Sequence, residues 1–319
     1  MFHRIATAAF LWAIAASCSA QDYPTRTITI VAPSAPGALS DVLARLIGKK
    51  VADTLSGTVI VEDKPGASGA IGSTYVMRAQ PDGYTILLAN GASHGALTAL
   101  SKTPAYDPIK DFVPIARVGE TQLALVVSDK LPVKNAQDFL TYARAHPGKL
   151  SYGSFGHGSA GHLFGEIMKK RNGIDMVHVP FKSEADAVQA ILAGQIELAM
   201  LVSAKPYVDQ GQVKLIGTTS PGANEAYPGW PTLTSQGVEG FSQARGFQAF
   251  LAPAGTPQIV VNKLADAISG AVADPEIRRQ LLNLGVTPAN ETPKDFPALY
   301  RALVEQWRSI VRESGISTD

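Results

Sequence analysis

Ala32-Pro33-Ser34-Ala35-Pro36-Gly37-Ala38-Leu39-Ser40-Asp41 follows the apolar run Ile28-Thr29-Ile30-Val31, and together the two read as a strand, a tight turn and the start of a helix. Apolar residues at Leu39, Val42, Leu43, Leu46, Ile47 and Val51 recur at three and four, the spacing of one buried helix face. The first amides of a helix have no partner inside it, and its dipole is positive at that end. Such a turn can hold a carboxylate or phosphate without a basic side chain. Ser34, Ala35, Pro36, Gly37, Ala38, Ser40 and Asp41 are therefore expected to form one jaw of an anion-binding cleft.

The same alternation continues outward. Thr58 to Glu62 reads as a strand, Lys64 to Ala70 as a loop of breakers, Ile71 to Gln80 as a helix stopped by Pro81-Asp82-Gly83, and Tyr84 to Ala89 as the next strand. Strands feeding helices at short spacing imply parallel sheet with right-handed crossovers. A turn-like stretch from Asp107 to Phe112 precedes further strand–helix units that begin near Val126, and a last apolar strand near Gly246 leads to C-terminal helices, the first capped by Thr256 with Pro257 following. Two crossings, near Val126 and Gly246, divide the chain into lobe 1 (21–125 and 247–319) and lobe 2 (126–246) joined by a hinge.

The chain has 319 residues, enough for about two such lobes. Its first twenty residues read as a secretory signal peptide: Arg4, an apolar stretch from Ala6 to Ala16 too short to span a bilayer, and small residues ending at Ala20, the expected cut site. The whole chain carries 28 basic and 27 acidic residues; loss of Arg4 leaves the mature protein formally neutral, which argues against a nucleic-acid partner. The single cysteine, Cys18, falls in the leader, so the mature chain forms no disulfide. A lipid-anchoring role for Cys18 is the alternative, but Ala15-Ala16-Ser17 lacks the large aliphatic residue usual three before such a cysteine.

Tyr152-Gly153-Ser154-Phe155-Gly156-His157-Gly158-Ser159-Ala160-Gly161-His162 is the second informative stretch. Glycines admit a ligand close to the backbone, and Ser159 looks like a helix cap, so Ser154, Gly156, Gly158, Ser159 and His162 are candidate contacts in a second jaw. The Lys-Ser or Lys-Thr pair of a phosphate loop is missing, which excludes nucleotide binding. His157 and His162 have no cysteine or acidic residue at ligand spacing, so no metal and no other cofactor is expected. Ser183-Glu184-Ala185-Asp186 has the form of a capping box and supplies a third helix start; Lys182 before it is either a solvated charge or a ligand contact. Arg245 is either a surface residue or a carboxylate clamp. Ser93 lies in Gly91-Ala92-Ser93-His94-Gly95, which matches the serine hydrolase pattern G-x-S-x-G. Against a nucleophile, Pro104 shortens the following helix and no oxyanion-type stretch precedes it. A turn hydroxyl or a contact to bound solute is the preferred reading.

Taken together, several stretches resemble the tripartite tricarboxylate transporter solute receptors, also called the Bug family of periplasmic binding proteins. They are Tyr23-Pro24-Thr25-Arg26, Ala35-Pro36-Gly37 with Asp41, Glu62-Asp63-Lys64-Pro65-Gly66-Ala67, Pro81-Asp82-Gly83-Tyr84-Thr85, Tyr106-Asp107-Pro108, Pro147-Gly148-Lys149-Leu150, Val177-His178-Val179-Pro180-Phe181-Lys182 and Leu251 to Pro257, in order over nearly the whole mature chain. The resemblance implies an α/β, two-lobed binding protein of the type II, Venus-flytrap class, each lobe a mixed sheet flanked by helices. It also implies a monomer without catalytic activity, located in the periplasm, that captures a small organic acid through backbone amides and ordered waters and delivers it to membrane permease subunits. A sensor passing its liganded form to a membrane kinase is the alternative of the same class. Ser34, Ala38-Leu39-Ser40, Leu201 and Ser183-Glu184 depart from the family's usual pattern, which puts the expected departure in ligand specificity at the jaws themselves.

Overall fold

The computed structural model describes residues 23–241 and 245–316; the leader, its cleavage site and Cys18 lie outside the described residues. The opening stretch forms strand β1 (Ile28–Ala32) and helix α1 (Leu39–Leu55), followed by β2 (Val59–Asp63), α2 (Ala70–Met77) and β3 (Thr85–Asn90). A π-helical turn, Gly91–Ala96, runs into the short α3 (Leu97–Leu100), and then β4 (Phe112–Thr121) leads directly to β5 (Ala124–Val127). The next elements are α4 (Ala136–Ala145), β6 (Leu150–Ser154), α5 (Ala160–Asn172), β7 (Met176–Pro180), α6 (Glu184–Leu192), β8 (Leu198–Leu201), α7 (Lys205–Asp209) and β9 (Lys214–Thr218). The chain closes with β10 (Gly246–Pro253), α8 (Gln258–Ala273), α9 (Pro275–Asn283), β11 (Val286–Pro288) and α10 (Phe296–Ser314).

These strands make two mixed sheets, ordered β11-β4-β10-β3-β1-β2 and β7-β6-β8-β5-β9. In the first, β1 is parallel to β2 and β3 while β10 is antiparallel to β3 and β4. In the second, β6 is parallel to β7 and β8 while β5 is antiparallel to β8 and β9. Both sheets thus follow one plan: second, first and third strands, then the strand that has just crossed from the other sheet, then the fourth. The inner strands β5 and β8 are buried throughout, because helices cover both faces of the mixed sheet and leave no alternation of polar residues.

Local chemistry explains most element ends. Asn135 caps α4 by accepting from the Asp138 amide at 2.9 Å, and Ser56 ends α1 in the left-handed region with φ 50°. The cap expected at Thr256 does not form. Pro257 occupies that position without a side-chain cap, since the Thr256 hydroxyl donates to the nearer Pro253 carbonyl at 2.8 Å and closes the preceding turn instead.

Helix α10 joins the halves. Its buried face carries Phe296, Tyr300, Leu303, Val304, Trp307, Ile310 and Val311; Trp307 meets Phe164 of α5 edge-on at 5.9 Å between ring centroids, and Arg171 of α5 pairs with Glu313 at 2.6 Å. Trp307 also packs on the π-helical turn. A methyl group at Gly95 would lie 2.3 Å from Trp307 Cγ, so only glycine lets the backbone come this close.

Candidate functional site

Both sheets direct the C-terminal ends of their parallel strands toward a common cleft of about 560 Å³, within the usual range for small-molecule sites. The first sheet contributes the turn after β1, namely Ser34, Ala35, Gly37, Ala38, Leu39 and Ser40, together with Asn90, Gly91 and Ala92 after β3. The second contributes Lys182, Ser183, Glu184 and Ala185 at the start of α6, Val202, Ser203 and Tyr207 after β8, and Phe155 and Ala160 after β6. The crossing segments supply Thr121, Leu123, Gly246, Phe247 and Gln248, and α10 supplies Trp307.

The helix starts at this cleft are not equivalent. Asn90 accepts from the Ala92 and Ser93 amides and caps the π-helical turn. Ser159 caps α5 and Ser183 caps α6, accepting from the His162 and Asp186 amides. Helix α1 has no side-chain cap at Ala38. With an extended backbone there and no side-chain acceptor, the first-turn amides of a stretch that lines the cleft are left for a ligand such as a carboxylate. Asp41 supports this turn from behind: its carboxylate accepts from the Gly37 amide at 2.8 Å and pairs with Arg45 at 2.6 Å. It is buried and does not line the cleft.

Beside that turn the Asn90 amide donates to the Ser40 hydroxyl at 3.3 Å, which donates in turn to Gln248 Oε1 at 3.3 Å. This chain ties β3, α1 and the crossing strand β10 into one polar wall. On the opposite side the Glu184 carboxylate accepts from the amides of Val202 at 2.6 Å and Ser203 at 2.8 Å, stitching the start of α6 to the loop after β8. Burial raises the Glu184 pKa against the pull of those two amides. Lys182 is exposed at the rim and has no ion-pair or hydrogen-bond partner among the described residues.

The predicted candidates therefore separate. Ser34, Ala35, Gly37, Ala38, Ser40, Lys182 and Ser183 share the cleft wall. Pro36 is exposed at the outer edge of its turn. Ser154, Gly156, Gly158, Ser159 and His162 do not line the cleft, because the loop that carries them is occupied internally. Ser154 Oγ bonds His178 Nε2 at 2.7 Å and the Gly156 carbonyl at 3.0 Å, while the Gly158 amide donates to His162 Nδ1 at 3.1 Å. His162 and His178 stack at 3.8 Å, with His157 edge-on to both. Their potential ligand nitrogens lie within 4.8 Å of one another, yet parallel rings direct their lone pairs side by side rather than at a shared centre. Burial lowers both pKa values, that of His178 to about 4. Arg245 is exposed, 3.8 Å from Glu120, and contributes no atom to the wall. Ser93 is fully buried, bonded to the Asn90 amide at 3.2 Å and to His94 Nδ1 at 3.1 Å. Sealed inside its turn, it is out of reach as a hydrolytic nucleophile.

Sequence reading missed Asn90, Gln248, Tyr207 and Trp307, and quoted Phe155 only as part of the second jaw's loop. Asn90 and Phe155 carried local signals, an Asn opening a turn after a strand and an aromatic in a glycine-rich loop; the others depend on which elements become neighbours.

Comparison with known proteins agrees with this architecture. Residues 43–316 match the family model described as "Tripartite tricarboxylate transporter family receptor". The chain is 32% identical over 318 residues to a UPF0065 protein of Bordetella pertussis, covering 99% of this chain and 98% of that one. It is 29% identical to BugT of the same organism, over 95% and 93% of the two chains. Among solved structures, the periplasmic binding protein BugD aligns with a TM-score of 0.81 at 32% identity, over 92% of this chain and 99% of its own. MatC of Rhodopseudomonas palustris with bound malate aligns with a TM-score of 0.80 at 31% identity, over 91% and 100%. An R. palustris protein with adipate aligns with a TM-score of 0.84 at 28% identity, over 92% and 99%. The chain belongs to the tripartite tricarboxylate transporter receptor family of periplasmic solute-binding proteins.

Proposed function

We propose that this receptor captures a small carboxylate-containing metabolite between its lobes in the periplasm and hands it to the membrane permease of a tripartite transporter. The observation that carries the reading is the uncapped start of α1 facing Lys182 and the start of α6 across one cleft. Ser34, Ala35, Gly37, Ala38 and Ser40 form the ligand's first wall, and Lys182 and Ser183 part of the second. Malate and adipate in the solved relatives support an organic acid. Lobe 1 (21–125 and 247–319) and lobe 2 (126–246) close about the two crossings; β5, which pairs wholly within the second sheet, and β10, which begins at Gly246 within the first, shift these boundaries by one or two residues. The ligand shifts the open–closed balance through its greater affinity for the closed form.

A single helix start contributes only about 0.3–1 kcal/mol, up to ~2 when partly buried, against about −8 kcal/mol for micromolar binding. Direct hydrogen bonds, contacts to Phe155, Phe247 and Tyr207, and the expulsion of water supply the remainder. The test is a thermal-shift screen of mono-, di- and tricarboxylates against the mature protein, followed by calorimetry on the best binder and on Lys182→Gln. A carboxylate stabilises the wild type, and Lys182→Gln weakens it roughly 3- to 10-fold with a shallower salt dependence, as expected for a rim charge. If no carboxylate in a broad screen raises the melting temperature, the reading fails.

A further inference from the structure

Three histidines meet behind the cleft wall, and the hydrogen bonds around two of them fix where each carries its proton. The Gly158 amide donates to His162 Nδ1 at 3.1 Å, so that nitrogen is bare and the neutral ring keeps its hydrogen on Nε2. Ser154 Oγ spends its one proton on the Gly156 carbonyl at 3.0 Å, so His178 Nε2 donates to it at 2.7 Å. His162 and His178 lie face to face, 3.8 Å between ring centroids and 7° from parallel. Two charged rings at that distance repel, so the pair takes one proton at a time. The other groups acting on the pair are His157 of the loop, edge-on at 5.3 and 5.2 Å, and Glu166 and Lys169 of α5, which pair with each other at 3.0 Å. Tyr152 of β6 donates to Glu166 at 2.7 Å. Burial lowers both rings from the ordinary 6.5; Glu166 counters it at His162, whereas His162 and His157 add to it at His178, which falls to about 4. His162 therefore takes the first proton.

We infer that the bond from Gly158 to His162 is a proton-released latch on the cleft wall: a proton on His162 Nδ1 sets one donor against another, frees Gly158 and weakens capture of the solute in acid. The loop from Gly156 to Ser159 is flanked by Phe155 and Ala160, both of which line the cleft, so its displacement moves two wall residues. Gly156 and Gly158 stand at φ 120° and 70°, a region that only glycine enters freely. Gly158 also abuts Leu100 of α3, where a built methyl carbon would stand 2.7 Å from Cδ1. The loop thus bridges the end of β6 and the helix that follows β3, and the latch holds it between them. The bare Nδ1 belongs to the neutral ring, so the wall is complete above the ordinary histidine range and is lost as the pH falls through it. The effect on capture rests on the carboxylate reading above, whereas the latch itself does not.

The experiment uses the full mature protein, uniformly ¹⁵N-labelled, with the histidine ring nitrogens and the Gly158 amide followed by NMR from about pH 7.5 to about pH 4.5. The expected result is that His162 Nδ1 takes up its proton before His178 does, and that the Gly158 amide proton moves upfield with the same midpoint. His162→Asn supplies the comparison, because its side-chain oxygen stands about where Nδ1 stood and accepts the same bond without titrating. In that variant the Gly158 amide stays in place across the range. Malate and adipate are then titrated into both proteins by calorimetry. Acid protonates these solutes equally in both experiments, so the ratio of the two affinities isolates the histidine. Between about pH 7.5 and about pH 4.5 the wild type loses about 2- to 10-fold more affinity than His162→Asn, the worth of one hydrogen bond. The latch is overturned if the Gly158 amide holds its position while His162 titrates, if His178 takes the first proton, or if the two proteins lose affinity in step. Should His162→Asn fail to fold, the wild-type titration decides alone. If neither acid binds the wild type at any pH, the effect on capture falls with the solute reading, and the ring and amide titration still decides the latch.

Discussion

Replacing Glu184 with Gln removes one of the two bonds that fasten the start of α6 to the loop after β8. In the native protein the carboxylate accepts from the Val202 amide at 2.6 Å and the Ser203 amide at 2.8 Å. Glutamine keeps one acceptor oxygen and turns its NH2 toward the other backbone N–H, donor against donor. A hydrogen bond to a charged group contributes about 1.5–3 kcal/mol, and an unsatisfied buried amide costs about 1–3 kcal/mol, so a loss of roughly 2–4 kcal/mol is expected. At about 2–4 °C per kcal/mol for a protein of this size, the melting temperature falls by roughly 5–15 °C. The assay is scanning calorimetry of wild type, Glu184→Gln and Glu184→Ala under identical conditions, with urea unfolding as a second measure. Alanine leaves both amides unpaired and is the more damaging change. A melting temperature for Glu184→Gln within about 1 °C of wild type would mean that water or a neighbouring group replaces the carboxylate without cost, and would refute the view of this residue as the stitch between two cleft-lining loops.

The remaining predictions concern the interior. Burial holds His94 near 3 and His178 near 4, below the ordinary histidine value of 6.5, so the unfolded chain takes up these protons first, and stability complete above about pH 6.5 is lost as the pH falls toward 4. Between about pH 7.5 and pH 5 the loss is roughly 3 kcal/mol, about 2 from His94 and about 1 from the half-buried His178, partly opposed by the raised carboxyls of Asp63 and Glu184. Urea midpoints across that range measure it, and His178→Asn flattens the profile; an unchanged slope in that variant would exclude His178 as a contributor. Gly95→Ala forces a methyl carbon within 2.3 Å of Trp307 Cγ. With Phe164 blocking retreat of the ring, the cost reaches about 3 kcal/mol, the upper end for overpacking, and a urea midpoint equal to wild type would contradict the contact.

How much of this was legible in the sequence depended on the range of the information. Helix α1 and its turn were visible because periodicity from Leu39 to Val51 and the breakers before it are local. The Ser159 and Ser183 caps were visible for the same reason. The failures came where a side chain chose among partners brought from afar. Ser154 and His162 are glycine-flanked and polar, which reads as a ligand loop, but His178 arrives from the neighbouring strand and takes the Ser154 hydroxyl. Asp41 reads as an acid in a ligand jaw, and Arg45 one turn later holds it at the back. Gln248 and Trp307 carry no local mark: they reach the cleft because β10 inserts between β3 and β4 and because α10 lies over two glycines.

That insertion also orders the birth of the molecule. Until β10 arrives, the first sheet exists in two pieces, with β1, β2 and β3 on one side and β4 on the other, whereas all strands of the second sheet are contiguous from Ala124 to Thr218. The pairing of β3 with β10 joins Asn90 to Gln248, a closure over roughly half the chain. Such distant pairings form late, because the entropy of bringing the ends together must be met before any contact rewards it. The strand that joins the two pieces of the first sheet is the one that carries Gly246, Phe247 and Gln248 into the cleft. The first sheet therefore cannot close before the last third of the chain is present, and the cleft wall comes into being in the same step that joins its two pieces.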